Sequence, residues 1–225
     1  MVNEMGKSTA NLVRWSGMAC ILAGVIAPVA MVIHPAKEDV PTILSQTARL
    51  ITAHSLFTLA YVLTLWGLVG LLVCHARKIG ALGLTGFILA FTGTVLFAVS
   101  GEYGFFAPVL AAHAPAMLDA ENAYMPVAVM DGLMALSYGL GYILFGVATA
   151  RAGVLPRIGG IFLVVGVPLF FIGAAAALGM NLPFLYWIAV AGQTLIGLGL
   201  IVLGLPLWSM KGVSFSQLTP MIAND

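Results

Sequence analysis

Six long apolar runs dominate this 225-residue chain and constrain its fold more than any other feature. Hydrophobic residues make up 61% of the sequence and charged residues only 8%, whereas soluble domains carry about 25% charged residues. Each run is close to the ~20 residues that a helix needs to cross the bilayer, and a membrane β-barrel would show short alternating segments instead. The predicted fold is therefore all-α, with six transmembrane helices over residues 13–33, 51–74, 81–104, 127–150, 157–178 and 183–208.

The charged residues are sorted between the two ends of these helices. Seven of the nine basic residues fall on the side that holds both ends of the chain, and six of the eight acidic residues fall on the other side. An excess of Lys and Arg marks the cytoplasmic side of a membrane protein. We therefore predict one transmembrane domain over residues 1–225 in the cytoplasmic membrane, with both termini cytoplasmic and a short cytoplasmic tail at 212–225. No basic cluster is large enough to indicate a nucleic-acid partner.

A weak internal repeat divides the helices into pairs. The motif Arg-x-x-Gly opens each of the three helices that run outward, at Arg14, Arg77 and Arg157. This repeat suggests three consecutive helical hairpins, although arginine at the headgroups and glycine at helix contacts give the same pattern without a repeat. The 26 glycines suit close helix packing within one chain, in a homo-oligomer or in a larger membrane complex, so these alternatives stay open.

Four ionisable residues on different helices share one predicted depth. Each lies 20–24 residues outward from a basic residue at the inner end of its helix, or about 30–36 Å at 1.5 Å per residue. The four are His34, His54, Glu102 and Asp131. The outer loop at 105–125, which carries His113, Asp119 and Glu121, would cover that plane as a cap on the membrane surface.

Tyrosines extend two of these positions into polar stripes. Tyr61 lies on the same helix face as His54, and Tyr138 and Tyr142 follow Asp131 in the same way. Polar stripes on apolar helices face protein or water rather than lipid. The pattern predicts an outward-facing polar pocket, and polar groups that converge on a pocket are typical of ligand binding. The candidate ligand-binding residues are His54, Glu102, Asp131, Tyr61, Tyr138 and Tyr142.

The first functional hypothesis is a membrane protein without catalytic activity or cofactor. It would bind a small or lipidic ligand in this pocket or act as an accessory subunit. A purely structural subunit of a larger complex is a further alternative, favoured if the glycine faces pack against a different protein. The polar residues would then form no site and would lie in the wet headgroup region, where ionisable groups cost little. Proton-coupled transport is less well supported, since no charged residue lies near the middle of the bilayer.

The second functional hypothesis is a metal-dependent hydrolase that acts on a lipid at the outer leaflet. Its zinc ligands would be two or three of five candidates, foremost the histidines, since imidazole and carboxylate groups are common zinc ligands. The candidates are His34, His54, His113, Glu102 and Asp131. This layout is similar to that of intramembrane hydrolases that build a zinc site from histidines on several helices. No His-x-x-x-His or Glu-x-x-His spacing fixes two ligands on one helix, however. A haem held by His34 and His54 would fit only at the outer rim.

Two short segments carry a resemblance to known proteins. Residues 12–17 (LVRWSG) open the first helix, and residues 151–157 (RAGVLPR) join the fourth and fifth. Both segments resemble those of a broad group of small, uncharacterised bacterial multi-pass membrane proteins. The resemblance implies a bacterial membrane protein of about six helices, and it assigns no catalytic residue.

Overall fold

The computed structural model describes residues 2–118, 125–180 and 182–209. Asp119, Glu121 and the predicted tail at 212–225 lie outside the described residues. The helices are α1 (Val2–Ile33), α2 (Val40–Ser45), α3 (Thr47–His75), α4 (Gly80–Ser100), α5 (Tyr103–His113), α6 (Met125–Ala152), α7 (Arg157–Ala174) and α8 (Tyr186–Ser209).

Six stretches of the described chain are long and apolar enough to cross a membrane. They are Ala10–Ile33, Thr47–His75, Gly80–His113, Met125–Ala152, Arg157–Ala177 and Pro183–Ser209. The described residues contain no β-strand. The prediction of an all-α protein with six membrane-spanning helices is confirmed.

The six spans pack as a ring in chain order. Helix α1 packs along α3, α3 lies beside α4, α4 packs along α6, α6 lies beside α7, α7 packs along α8, and α8 closes the ring against α1. Contacts within the pairs α1/α3, α4/α6 and α7/α8 are more extensive than contacts between α3 and α4 or between α6 and α7. The arrangement agrees with three consecutive hairpins, the third of which returns to the first.

Glycine allows the long helices to approach one another at backbone distance. A Cβ atom on Gly141 of α6 would lie only 2.6 Å from the Cα atom of Ala90 on α4. In the third hairpin, a Cβ atom on Gly173 of α7 would lie 2.8 Å from the Cα atom of Ala189 on α8. Without a hydrophobic force between helices in lipid, this close van der Waals packing is a main source of association. The glycines therefore set the interhelical distances within one chain.

A small outer layer covers one end of the α1/α3 hairpin. Asp39 caps α2 by accepting a hydrogen bond of 2.9 Å from the backbone nitrogen of Thr42, and Pro41 stands in the first turn of the helix. Thr47 then begins α3 directly after α2. The short helix therefore leads straight into the second span, and it lies beside α5.

The third span differs from the continuous helix predicted over 81–104. Helix α4 ends at Ser100, and the chain resumes as α5 after Gly101 and Glu102. A side chain at Gly101 would collide with Thr58 of α3, so glycine allows the chain to turn close to that helix. The predicted surface cap is helical over α5, which packs against α2 and α3 and has Pro108 inside it.

Candidate functional site: a histidine–glutamate cluster beside an aromatic cavity

His34 is fixed immediately after α1. Its backbone nitrogen continues the helix by donating to the Ala30 carbonyl at 2.9 Å, and Pro35 follows. The ring Nδ1 donates to the Pro35 carbonyl at 2.7 Å. The ring also stacks on Tyr186 of α8, with centroids 6.2 Å apart, and the residue is 6% exposed. The Nδ1 contact leaves Nε2 as the nitrogen that faces the neighbouring residues.

Arg49 of α3 holds the end of α1 in place. Its guanidinium donates to the carbonyls of Ile33, Val32 and His34, the last at 3.3 Å. The last carbonyls of a helix have no partner within the helix, and a cation is favourable there. Arg49 therefore ties α3 to the end of α1 and to His34 itself.

Two further side chains meet the His34 ring. Nε2 of His34 lies 3.3 Å from Nε2 of His54 on α3 and 3.0 Å from Oε1 of Glu38, in the link before α2. Among the described residues, these three side chains form a group whose potential ligand atoms all lie within 4.8 Å of one another. We call this group the His–Glu cluster.

The charges of the His–Glu cluster favour an ionised glutamate. Burial alone would raise the pKa of the Glu38 carboxyl, but hydrogen bonding and positive charge from His34 outweigh burial and hold the pKa below its ordinary value. His54 and the Tyr103 hydroxyl act in the same direction. Each ring nitrogen of His34 lies within hydrogen-bond distance of an oxygen atom, Nδ1 of the Pro35 carbonyl and Nε2 of the Glu38 carboxylate.

A cavity of about 160 Å³ opens beside the His–Glu cluster. His34, Glu38 and His54 line its polar end, and Tyr186 and Ser100 add hydroxyl groups. The remaining walls are mainly apolar and come from α1, α3, α4 and α7: Met31, Phe57, Tyr61, Phe97, Gly101, Phe170 and Ala174. An apolar pocket with a few convergent polar groups is the usual form of a small-molecule site.

An aromatic column continues from the cavity into the centre of the ring. Tyr61 and Phe97 have ring centroids 5.4 Å apart, and Phe97 packs edge-on against Tyr138 at 4.7 Å. Tyr138 in turn contacts Tyr142, whose hydroxyl lies 2.9 Å from the Thr94 hydroxyl. Tyr142 is fully buried. The column closes the inner end of the cavity with packed side chains.

The structure brings together only part of the predicted site. His54 and Tyr61 line the cavity, and His34 joins His54 as the zinc hypothesis required. Tyr138 and Tyr142 lie behind the cavity wall in the aromatic column and do not line it.

The other predicted residues lie elsewhere. Glu102 and Asp131 are exposed, and neither lines the cavity. His113, at the last position of α5, is also exposed and is not part of the His–Glu cluster. Asp131 lies in the first part of α6, where residues 125–133 are all exposed and no packing turns them toward the ring.

Sequence reasoning missed Glu38, which completes the cluster. His34 and Glu38 are four residues apart, but the link after α1 is not helical, so this spacing alone did not predict that the two side chains meet. Tyr186 is also absent from the predicted site, although its hydroxyl donates to the Met31 carbonyl at 2.8 Å and its ring supports His34.

Comparison with known proteins gives no match: neither protein-family models, nor curated proteins, nor solved structures are significantly similar to this chain. The fold and the site alone therefore define its class. It is a six-span α-helical membrane protein with a partly buried histidine–glutamate pair and a second histidine at the polar end of an aromatic cavity.

Proposed function

We propose that this protein binds a small amphipathic ligand in the cavity from the non-cytoplasmic side of a bacterial cytoplasmic membrane. One observation carries the proposal: the cavity has apolar, aromatic walls and the His–Glu cluster at one end. A polar or anionic head would contact the imidazoles, and a short hydrocarbon portion would lie between Phe57, Tyr61 and Phe97.

The size of the cavity limits the ligand. An engineered apolar cavity of about 150 Å³ holds one benzene molecule, so about 160 Å³ suits a hydrocarbon portion of roughly six carbons. A long acyl chain would have to extend beyond the cavity through its opening. Short-chain carboxylates are therefore the simplest probes.

The orientation follows from charge. Arg14, Arg77, Arg151 and Arg157 stand at the helix ends opposite the His–Glu cluster, where the positive-inside rule places the cytoplasm. Arg14 lies over the ring of Trp208 at 4.4 Å, and Trp15 packs against the same ring, as in an interfacial aromatic belt. The cavity then lies toward the opposite membrane surface.

Filling the cavity is expected to abolish ligand binding. Ala174 of α7 lines the cavity, and Ala174→Leu places three more carbon atoms inside it. Binding of ¹³C-labelled hexanoate is measured by NMR on protein in lipid nanodiscs. We expect the wild-type protein to bind hexanoate and the variant to bind it at least about tenfold more weakly, which corresponds to about 1.4 kcal/mol. The matched control is Ala175→Leu, because Ala175 is the exposed next residue. Equal binding by both variants would contradict the proposal.

Metal-dependent hydrolysis is a second candidate function, and one observation favours it. Two histidines and one glutamate are the ligand set of several catalytic zinc sites, which keep one coordination position open for water or substrate. Under this function the zinc-loaded protein hydrolyses p-nitrophenyl hexanoate, and chelation stops the reaction. A binding protein leaves the ester intact in both states.

A further inference from the structure

We propose that the His–Glu cluster is a binding site for one divalent transition-metal ion of the Zn²⁺ class, held by Nε2 of His34, Nε2 of His54 and a carboxylate oxygen of Glu38. The inference deepens the proposed function, because the metal would form the polar end of the same cavity. It stands on the geometry of three side chains from two segments, the link after α1 and helix α3.

Two of the three distances in the cluster are close to those between ligands of one metal ion, and the third, between His54 and Glu38, is within 4.8 Å. Two atoms bound to zinc at about 2.0–2.1 Å with tetrahedral angles lie about 3.3 Å apart. The Nε2 atoms of His34 and His54 are 3.3 Å apart, and Nε2 of His34 is 3.0 Å from Oε1 of Glu38. Two imidazole nitrogens that face each other at this distance have only one proton to share, whereas a cation satisfies both lone pairs.

The residues around the cluster fix its ligand atoms. The Pro35 carbonyl accepts the Nδ1 proton of His34, which turns Nε2 toward the site, and the Gly101 carbonyl interacts with the His54 ring. Metal-binding histidines commonly donate their second nitrogen to a carbonyl in this way. Gly104 leaves room for the His54 ring, since a Cβ atom there would collide with it. Tyr103, which like Gly104 belongs to α5, interacts with Glu38.

The donor set selects the metal class. Two imidazoles with one carboxylate suit zinc and neighbouring first-row metals, whereas Ca²⁺ and Mg²⁺ prefer sites made of oxygen atoms. Binding would use the Nε2 lone pair of each histidine, so a proton held on either nitrogen would be released to solvent. The fourth position would face the cavity, where the head of a bound carboxylate or a water molecule would complete the coordination.

The test is direct titration of tag-free, chelator-treated protein with ZnCl₂ by calorimetry, and with Co²⁺, whose visible absorption reports tetrahedral coordination. We expect about one ion per wild-type chain. His54→Gln and Glu38→Gln should each weaken binding more than about 100-fold, beyond the loss caused by removing an outer partner of a ligand. The matched control is His113→Gln, which removes an exposed histidine and should leave affinity unchanged.

Three outcomes overturn the metal site: no stoichiometric zinc in the wild type, unchanged affinity in His54→Gln, or equal loss in His113→Gln. Thermal unfolding of each metal-free variant checks that the fold is retained, and Glu38→Gln serves if His54→Gln does not fold. Hexanoate binding, measured once with chelator and once with one equivalent of ZnCl₂, separates the two proposals. If hexanoate binds and zinc does not, the metal inference fails alone; if zinc binds and hexanoate binds in neither state, the ligand proposal fails alone.

Discussion

Replacing Gly141 with leucine is expected to abolish the folded protein. A Cβ atom at this position of α6 would lie 2.6 Å from the Cα atom of Ala90, so the obstacle is the α4 backbone and not a movable side chain. Overpacking a core costs about 1–3 kcal/mol when neighbours can adjust, and here the two helices themselves must separate. We expect no monodisperse peak when the variant is extracted in mild detergent and analysed by size-exclusion chromatography.

Gly132 provides the control on the same helix. It is exposed, a Cβ atom added to it would meet no heavy atom within 4 Å, and leucine is a better helix former than glycine. Gly132→Leu should therefore give wild-type yield and an equal or higher Tm. A Gly141→Leu protein that behaves like Gly132→Leu would show that α4 and α6 do not pack at backbone distance.

Replacing Arg49 with methionine is expected to lower both stability and ligand affinity. The variant keeps the length of the side chain but removes the donors to the carbonyls of Ile33, Val32 and His34. Hydrogen bonds to a charged group contribute about 1.5–3 kcal/mol, and this exposed side chain belongs at the lower end of that range. Because His34 loses its fixed position, hexanoate binding should weaken about tenfold or more, as for outer partners of a site.

The control for Arg49→Met is Lys37→Met. Lys37 is a nearby cation on the same side of the protein, and the structure gives it no hydrogen bond to α1 among the described residues. Its removal should change stability by no more than about 0.5 kcal/mol. Thermal unfolding and the hexanoate titration measure both variants. Equal losses for Lys37→Met and Arg49→Met would assign the effect to general charge rather than to the tie between α3 and α1.

The spans were predictable because membrane insertion requires long apolar helices, and nothing else in the sequence competes with that signal. The depth of each helical residue in the membrane was also predictable, because the rise per residue is fixed in a helix. His34 and His54 share a depth and do meet. Glu102 and Asp131 share nearly the same predicted depth and stay exposed, because depth fixes neither the rotation of a helix nor its neighbours in the ring.

Glu38 escaped prediction because counting along helices says nothing about the path of a link. The link at 34–39 folds back so that Glu38 returns to His34, and this depends on Pro35, on the Asp39 cap and on Arg49 at the end of α1. The break at Gly101 was also hidden, since the hydropathy of the third span continues without interruption to His113. That break places Tyr103 and Gly104 beside the cluster.

The most direct test of the central claim, a ligand cavity that opens away from the cytoplasm, is the reactivity of one cysteine. Ser100 lines the cavity and is partly exposed, and Ser100→Cys is nearly isosteric. The wild-type protein gives the background labelling, because Cys20 is buried and Cys74 lies toward the opposite, arginine-rich side. We predict that a membrane-impermeant methanethiosulfonate labels Ser100→Cys in intact cells and that hexanoate slows the labelling. Labelling only in inverted membrane vesicles, or labelling that hexanoate does not affect, would contradict the account.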